Sequence, residues 1–366
     1  MLKIDSCLII KNEQDNIKIL INQLLKFSHE IHITDTGSTD NTISILEKLK
    51  SKHNNIFIHH YTWDFNFSNA RNYSLKYKND TSDYKFWCDG DDTLNDKLIS
   101  TLQQFSNKDN SDTDIYYIKY QYYQGDKNPH FRTSILKSSS NLCWNDPIHE
   151  YIGLYNGIKL NHDYFDNGSL LIHHRKEVHT NRNLEIFQNM EKIGSKFTGR
   201  NYYYYAMELL NSGLKKSAYE MFKECIYYKD NYDVQDKFNA LLNIYNIKPD
   251  KEWIEMFYYV LSLNIYRGDI LYYAGNYYLD IEKNYYLAKV FYNGALEYKW
   301  DNSCSFGLLI ENITINPLLQ LGLIAWYENE PEKTKYYNEQ VLKYDPNNQS
   351  AINNIKFLNN KTKEGN

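Results

Sequence analysis

Cysteine, proline and glycine are scarce in this chain: of 366 residues, 5 are cysteine, 6 proline and 15 glycine. Cys7, Cys88, Cys143, Cys225 and Cys304 are scattered, odd in number and without C-x-x-C spacing. That excludes a disulfide framework and predicts reduced thiols. An excess of positive charge is also missing, with 41 Lys and Arg against 46 Asp and Glu, a net charge of −5. A general phosphate-backbone binder needs a basic surplus, so no nucleic-acid partner is expected. No apolar run reaches the ~18 residues of a membrane-spanning helix. The opening MLKIDSCLIIKNEQDN lacks the apolar length and small-residue cleavage site of a signal peptide. The expectation is therefore a cytoplasmic protein with no transmembrane segment.

What the chain does contain is 42% hydrophobic residues, enough to exclude wholesale disorder. At roughly 150 residues per domain, its length suggests two or three domains. Its 36 tyrosines, with many Asn, Lys and Ile, fit an AT-rich coding bias. They would also suit a carbohydrate-stacking surface, since tyrosine offers an apolar face and a hydroxyl.

The two halves differ in texture. In the first, Ser6 to Ile10 reads as a buried strand, followed by Ile17, Leu20, Ile21, Leu24 and Leu25 at helical spacing. Ile31 to Thr34 reads as a second strand. Ser38, Thr39 and Asp40 then offer N-cap side chains to a helix carrying Ile43, Leu46 and Leu49. Ile56 to His60 and Tyr84 to Cys88 are further strands, with helices expected over Phe67–Tyr77 and Leu94–Phe105. Strand and helix alternating in this way predict a parallel sheet covered on both faces. Ile115–Tyr123, Phe131–Leu136 and Leu170–His173 read as strands of a mixed, partly antiparallel extension, with an irregular stretch around Asn145–His149. The α/β domain is placed at residues 1–180.

The second half shows no convincing strand. After a helical stretch at Arg182–Lys196, Ala218, Trp253 and Ala288 recur 35 residues apart, close to the ~34-residue period of tetratricopeptide helix pairs. Ala206, Leu241 and Asn276 stand twelve positions before them, and Phe222, Phe257 and Tyr292 four positions after. A fourth unit places Gly322 and Pro346 twelve residues either side of Thr334, behind an irregular segment from Lys299 to Asn316. An all-α helical-repeat domain is expected over residues 181–358, its repeat aromatics in the core, with a frayed polar tail at 359–366.

Acidic residues fall where strands end. Asp35 follows the second strand in ITDTGSTDNT, and Asp89, Asp91 and Asp92 follow the fourth in FWCDGDDTL. Ligands of open α/β sheets collect outside the carboxyl ends of the strands. Clustered carboxylates repel one another unless a cation neutralises them, and oxygen ligands suit Mg²⁺ or Mn²⁺.

The segments CLIIKNEQDN, ITDTGSTDNT, WDFNFSNARN and FWCDGDDTL, in this order, resemble the family 2 glycosyltransferases of GT-A fold. The subgroup with a C-terminal tetratricopeptide-like extension is the most similar. RTSILKSSSNLCWNDPIHEYIG also resembles that subgroup, and the likeness runs from Ile4 to about Asn183. The resemblance implies a Rossmann-like mixed sheet flanked by helices, followed by the helical repeats. It implies an inverting, metal-dependent transfer of a monosaccharide from a nucleotide sugar, UDP-linked by family habit. The acceptor would be a glycan, peptide or protein.

Residue by residue, Asn12, Asp35, Arg71, Asp89 and Arg132 would bind the nucleotide sugar. Asp89 and Asp91 match the D-x-D pair, with Asp91 as the direct ligand of Mn²⁺ or Mg²⁺. His173 or His174 would complete the metal or pyrophosphate site. Glu150, in the I-H-E step, would be the general base, with His149 orienting it or touching the acceptor. Two departures stand out. Asn66 replaces an Asp that often precedes the F-S-x-A-R-N element. The chain also reads His173-His174-Arg175-Lys176 where H-x-G-Y is common.

Two rivals share parts of this reading. One is an inactive sugar-binding scaffold recruiting partners through its helices, a half that could also form a homodimer. The other is a nucleotidyltransferase, disfavoured because KNEQDN is neither glycine-rich nor basic.

Overall fold

The computed structural model describes residues 2–76, 82–105, 112–122, 129–140, 142–154, 160–174, 181–229, 234–263, 267–299 and 308–364. Tyr77, Tyr123, Arg175, Lys176 and Cys304 lie outside them. Two compact units emerge, Met1–Ile193 and Gly194–Asn366.

The first unit opens with β1 (Ile4–Ile10), α1 (Ile17–Leu24), β2 (Ile31–Asp35), α2 (Thr42–Lys50), β3 (Ile56–His60), α3 (Phe67–Lys76) and β4 (Tyr84–Asp89). All residues of β1 and β2 are buried, as expected of strands covered on both faces. α1 buries Ile17, Leu20, Ile21 and Leu24 at the predicted spacing. Chain then adds β5 (Asp92–Leu94), α4 (Asp96–Phe105), β6 (Ile115–Tyr122), β7 (His130–Lys137), β8 (Leu142–Asn145), β9 (Tyr151–Leu154), β10 (His162–His173) and α5 (Arg182–Lys192). The sheet order is β3-β2-β1-β4-β7-β6-β10-β5, with β8 and β9 as a separate antiparallel pair. β3, β2, β1 and β4 are mutually parallel, whereas β7 runs antiparallel to both β4 and β6, and β5 antiparallel to β10.

The sheet must curl. β4 ends at Asp89 and β5 begins at Asp92, three residues that reach at most about 11 Å. Along the sheet, however, β7, β6 and β10 separate them, four strand spacings or ~19 Å if flat. Curling brings the two ends together, and the acidic residues stand where they meet. Gly90, in that short link, has no room for a side chain: an added Cβ would stand 2.8 Å from both Glu13 Cγ and Ile10 Cγ2. We expect Gly90→Ala to cost about 1–3 kcal/mol by overpacking. Denaturant titration checks this, and unchanged stability would contradict the packing.

Four strands differ from the sequence reading. β5 replaces the start of the helix expected at Leu94, because its three residues are too few to show a period. β8 and β9, for which no strands were expected, pair on either side of the irregular stretch expected around Asn145–His149, which turns through positive φ at Asp146 and His149. β10 begins eight residues before Leu170, since its first half is largely solvent-facing and carries a register shift between Phe165 and Leu170. Of the expected caps of α2, Asp40 accepts from the amide of Thr42, the first helical residue, at 2.9 Å, whereas Ser38 and Thr39 act elsewhere and Asn41 makes no side-chain cap bond.

The second unit pairs α6 (Gly199–Asn211) with α7 (Lys215–Tyr227), α8 (Val234–Ile247) with α9 (Lys251–Ser262), α10 (Gly268–Asn276) with α11 (Tyr285–Glu297), and α12 (Ile315–Tyr327) with α13 (Pro331–Tyr344). A π-helical turn at Tyr277–Ile281 follows α10, and a 3₁₀ turn at Ile310–Ile313 precedes α12. Ala218, Trp253 and Ala288 are fully buried, as are Phe222, Phe257 and Tyr292. The repeat aromatics are therefore core. Trp253 Nε1 donates to the Leu241 carbonyl at 2.8 Å, and the Tyr292 hydroxyl to Asn276 Oδ1 at 2.7 Å, so the buried rings satisfy their polar ends. α14 runs from Gln349 to Glu364, through most of the segment expected to fray. Ala351 and Leu358 anchor it, and extending a formed helix is easier than nucleating one. Among the described residues, no helix is long and apolar enough to cross a membrane.

Candidate active site

β1 has β2 on one side and β4 on the other, with Ile10 opposite Asp35 and Ile9 opposite Asp89. Both carboxylates therefore stand at the carboxyl edge of the sheet, about two strand spacings or ~10 Å apart. Asp35 is buried and accepts from the Gly37 amide at 3.2 Å and the Ser38 amide at 3.1 Å. Gly37 takes φ +105°, a conformation that suits glycine.

Asn12, at φ 57°, works on the neighbouring loop. Its Oδ1 accepts from the Thr39 amide at 2.7 Å, and its own amide donates to Ser38 Oγ at 2.9 Å. The Glu13 amide donates to Thr42 Oγ1 at 2.7 Å. Ser38 and Thr39, expected as helix caps, thus staple the β1–α1 loop to the β2–α2 loop beside Asp35.

Arg71 is the centre of the other half. Its Nη2 donates to Asp89 Oδ1 at 2.8 Å and its Nε to Glu150 Oε1 at 2.9 Å. One guanidinium therefore joins the acid at the end of β4 to the glutamate of the I-H-E step. The ring of Trp87 lies 4.7 Å from the guanidinium carbon and that of Trp144 5.0 Å, which adds a cation–π contribution.

The F-S-x-A-R-N element holds this arrangement in place. Ser68 Oγ donates to the Asp146 carbonyl, the Phe67 amide to the Pro147 carbonyl, and Asn72 exchanges two hydrogen bonds with the Trp144 backbone. Asn66 Oδ1 accepts from the Asn69 amide at 2.9 Å, so it caps α3, and a cap needs an acceptor rather than a charge. His149, half-buried and at φ 54°, precedes Glu150 in the turn.

Arg132 provides a second clamp. It donates from Nη1 to Asp89 Oδ2 at 3.1 Å and from Nη2 to Asp92 Oδ2 at 2.8 Å. Its guanidinium lies 3.8 Å from the Tyr120 ring centre and 4.3 Å from that of Trp87. Both Asp89 oxygens are thus taken by arginines. Burial alone would raise the Asp89 pKa, but the Arg71 and Arg132 charges hold it well below the usual carboxylate range. Burial likewise works against the two guanidinium charges, and the facing carboxylates more than reverse that.

Asp92 is fully buried and has the densest set of partners. It accepts from the Asp89 amide at 2.9 Å, from Arg132, and from the Tyr120 hydroxyl at 3.2 Å. His173 Nδ1 stands 3.1 Å from Asp92 Oδ1 and 3.4 Å from Asp91 Oδ1. Burial would lower the His173 pKa, yet hydrogen bonds to Asp91 and Asp92 carry it up to about 10. Asp91, Asp92 and His173 offer ligand atoms within 4.8 Å of one another. The next residue faces elsewhere: His174 Nε2 is 2.7 Å from Thr93 Oγ1. Of the two histidines, the structure brings His173 to the carboxylates.

Sequence reading gave Asp92 no separate role and missed Tyr120, Trp87 and Trp144. Asp92 was visible as the last acid of D-G-D-D. The aromatics look like ordinary strand residues until the curl brings β6, β4 and β8 around the arginines.

A curled, mixed sheet flanked by helices, with carboxylates gathered at the carboxyl ends of its central strands, defines a GT-A-type α/β domain. The chain carries a domain of glycosyl transferase family 2, whose profile matches residues 6–167. No curated protein matches the chain in sequence. Among solved structures, S. aureus TarS 1–349 is similar at 15% identity and TM-score 0.41, covering 82% of this chain and 94% of that one. The same protein in complex with UDP-GlcNAc is similar at 14% identity and TM-score 0.41, with coverage of 82% and 94%. The mannosyltransferase PcManGT from Pyrobaculum calidifontis, in complex with GDP-Man and Mn²⁺, is similar at 11% identity and TM-score 0.35, with coverage of 71% and 85%.

Proposed function

We propose that this protein is an inverting, metal-dependent glycosyltransferase. It moves a monosaccharide from a nucleotide sugar, UDP-linked, to a glycan, peptide or protein acceptor by single displacement. The observation that carries this reading is the Arg71 bridge, which ties Glu150 to the acidic edge where the family's donor motifs converge.

In this reading, Asp35 and the stapled loop at Asn12 line the nucleoside side of the edge. Arg71 and Arg132 fix Asp89 and orient the acidic turn, and their planar forks suit carboxylate and pyrophosphate oxygens. Two carboxylates and an imidazole form an O/N donor set that fits Mn²⁺ or Mg²⁺, so Asp91 and His173 would hold the ion with Asp92 behind them. When bound, such an ion neutralises charge on the leaving nucleoside diphosphate. Arg71 holds Glu150 Oε1, and Oε2 takes the acceptor proton as general base. His149 shapes the turn that presents it. Holding donor and acceptor in line supplies much of the acceleration. The helical hairpins, tetratricopeptide-like in spacing, would offer a surface to a polypeptide acceptor.

The test is incubation with a panel of nucleotide sugars with and without Mn²⁺. Release of free nucleoside diphosphate is expected, and Asp91→Ala should abolish it. Pyrophosphate release would instead indicate a nucleotidyltransferase. Absence of either product, with sugar binding retained, would favour the scaffold.

A further inference from the structure

A second group of ligating side chains lies at the opposite, amino-terminal end of the sheet. Asp5 is the second residue of β1, about 13 Å along the strand from the acidic edge. Asp5, Glu30 and His32 offer ligand atoms within 4.8 Å of one another. Asp5 is fully buried, and its two oxygens differ. Oδ1 accepts from the Glu30 amide at 3.1 Å and lies 3.2 Å from His29 Nδ1, whereas Oδ2 is buried with no hydrogen-bond partner. Lys85, opposite Asp5 in the β1–β4 register, turns its ammonium to the Leu75 carbonyl. A buried carboxylate oxygen without a donor is costly, and a cation is one of the few groups that can satisfy it.

We propose that Asp5, Glu30 and His32 form a binding site for a divalent transition-metal ion of the zinc class, separate from the acidic edge. Two carboxylates and an imidazole are a donor set that zinc accepts, with water free to complete the coordination. The surroundings are those of an oriented site. His32 Nε2 stands 3.1 Å from Glu30 Oε2, and His32 Nδ1 stands 3.2 Å from His59 Nε2. With the metal on Nε2, the Nδ1 hydrogen points at His59, the outer partner that fixes a ligating histidine's tautomer and ring. Asp5 Oδ1 is likewise held, which leaves Oδ2 as the oxygen without a protein donor. The ion would tie the start of β1 to the start of β2.

The experiment adds Zn²⁺ to the full-length double variant Asp91→Ala/His173→Ala, which removes two of the three ligating groups at the acidic edge, and follows binding by calorimetry and melting temperature. One equivalent should bind, and at a hundredfold excess over Kd the melting temperature should rise by about 5 °C or more. His32→Ala in the same background should lower the affinity at least ~100-fold. Asp5→Asn, which keeps the shape and the Oδ1 acceptor, should do the same if His32→Ala does not fold. Absence of a bound equivalent, or unchanged affinity in the variant that folds, would overturn the site.

Discussion

Glu150→Gln is expected to lower kcat by about 10²–10⁴-fold, the usual worth of a general base, while leaving the Kd for nucleoside diphosphate and Mn²⁺ within a few-fold of the parent. The physical reason is local. Glutamine keeps an Oε1 that can accept from Arg71 Nε, so the bridge to Asp89 and the turn around His149 persist. Only the proton acceptor is lost. Single-turnover measurements with saturating donor separate the two effects, because a defect in chemistry then shows without a change in binding. Full turnover by this variant would remove Glu150 from the base role and leave it as an anchor for Arg71.

Arg71→Ala should be damaging in a different way. It strips one cation from Asp89 and the cation from Glu150, leaving two poorly exposed carboxylates near each other. Breaking a fully buried ion pair costs about 3–5 kcal/mol. Because Asp89 keeps Arg132 and is 25% exposed, we expect about 2–3 kcal/mol. In a domain of this size that is a fall of about 5–10 °C in melting temperature. Activity should fall by ~10²-fold or more, since both the base and the acidic turn lose their orientation.

The pH dependence follows from Asp89, whose pKa lies below its ordinary value in the folded chain. A depressed carboxylate contributes stability that is present above the unfolded value near ~4 and is lost as pH falls through the folded one. Arg71→Ala should therefore flatten the acid limb of the stability curve. Arg71→Lys, which keeps charge without the planar fork, should recover stability more than activity. Equal loss of both in the lysine variant would argue against a geometric role for the guanidinium.

Much of this architecture is written in residue patterns that act locally. The apolar run Cys7–Ile10 and the β-branched Ile31, Ile33 and Thr34 made β1 and β2 recognisable as buried strands. The spacing of Ile17, Leu20, Ile21 and Leu24 did the same for α1, and the 35-residue recurrence of Ala218, Trp253 and Ala288 marked the helix pairs because each unit buries the same face. Short elements escaped for the converse reason. β5, β8 and β9 have three or four residues each, less than the length at which a period can be counted. Their strand character comes from partners distant in sequence.

The same division runs through the candidate site. Local sequence was enough to put Asp35 and Asp89 at strand ends, since a run of buried residues closing on an aspartate marks where a strand leaves the core. It could not say that Arg71 serves both Asp89 and Glu150, residues 18 and 79 positions away, or that His173 rather than His174 meets the carboxylates. Those pairings depend on the curl of the sheet and on the β5–β10 register, in which His173 stands opposite Asp92. Register is a property of two strands together, and a one-residue slip would present the other histidine.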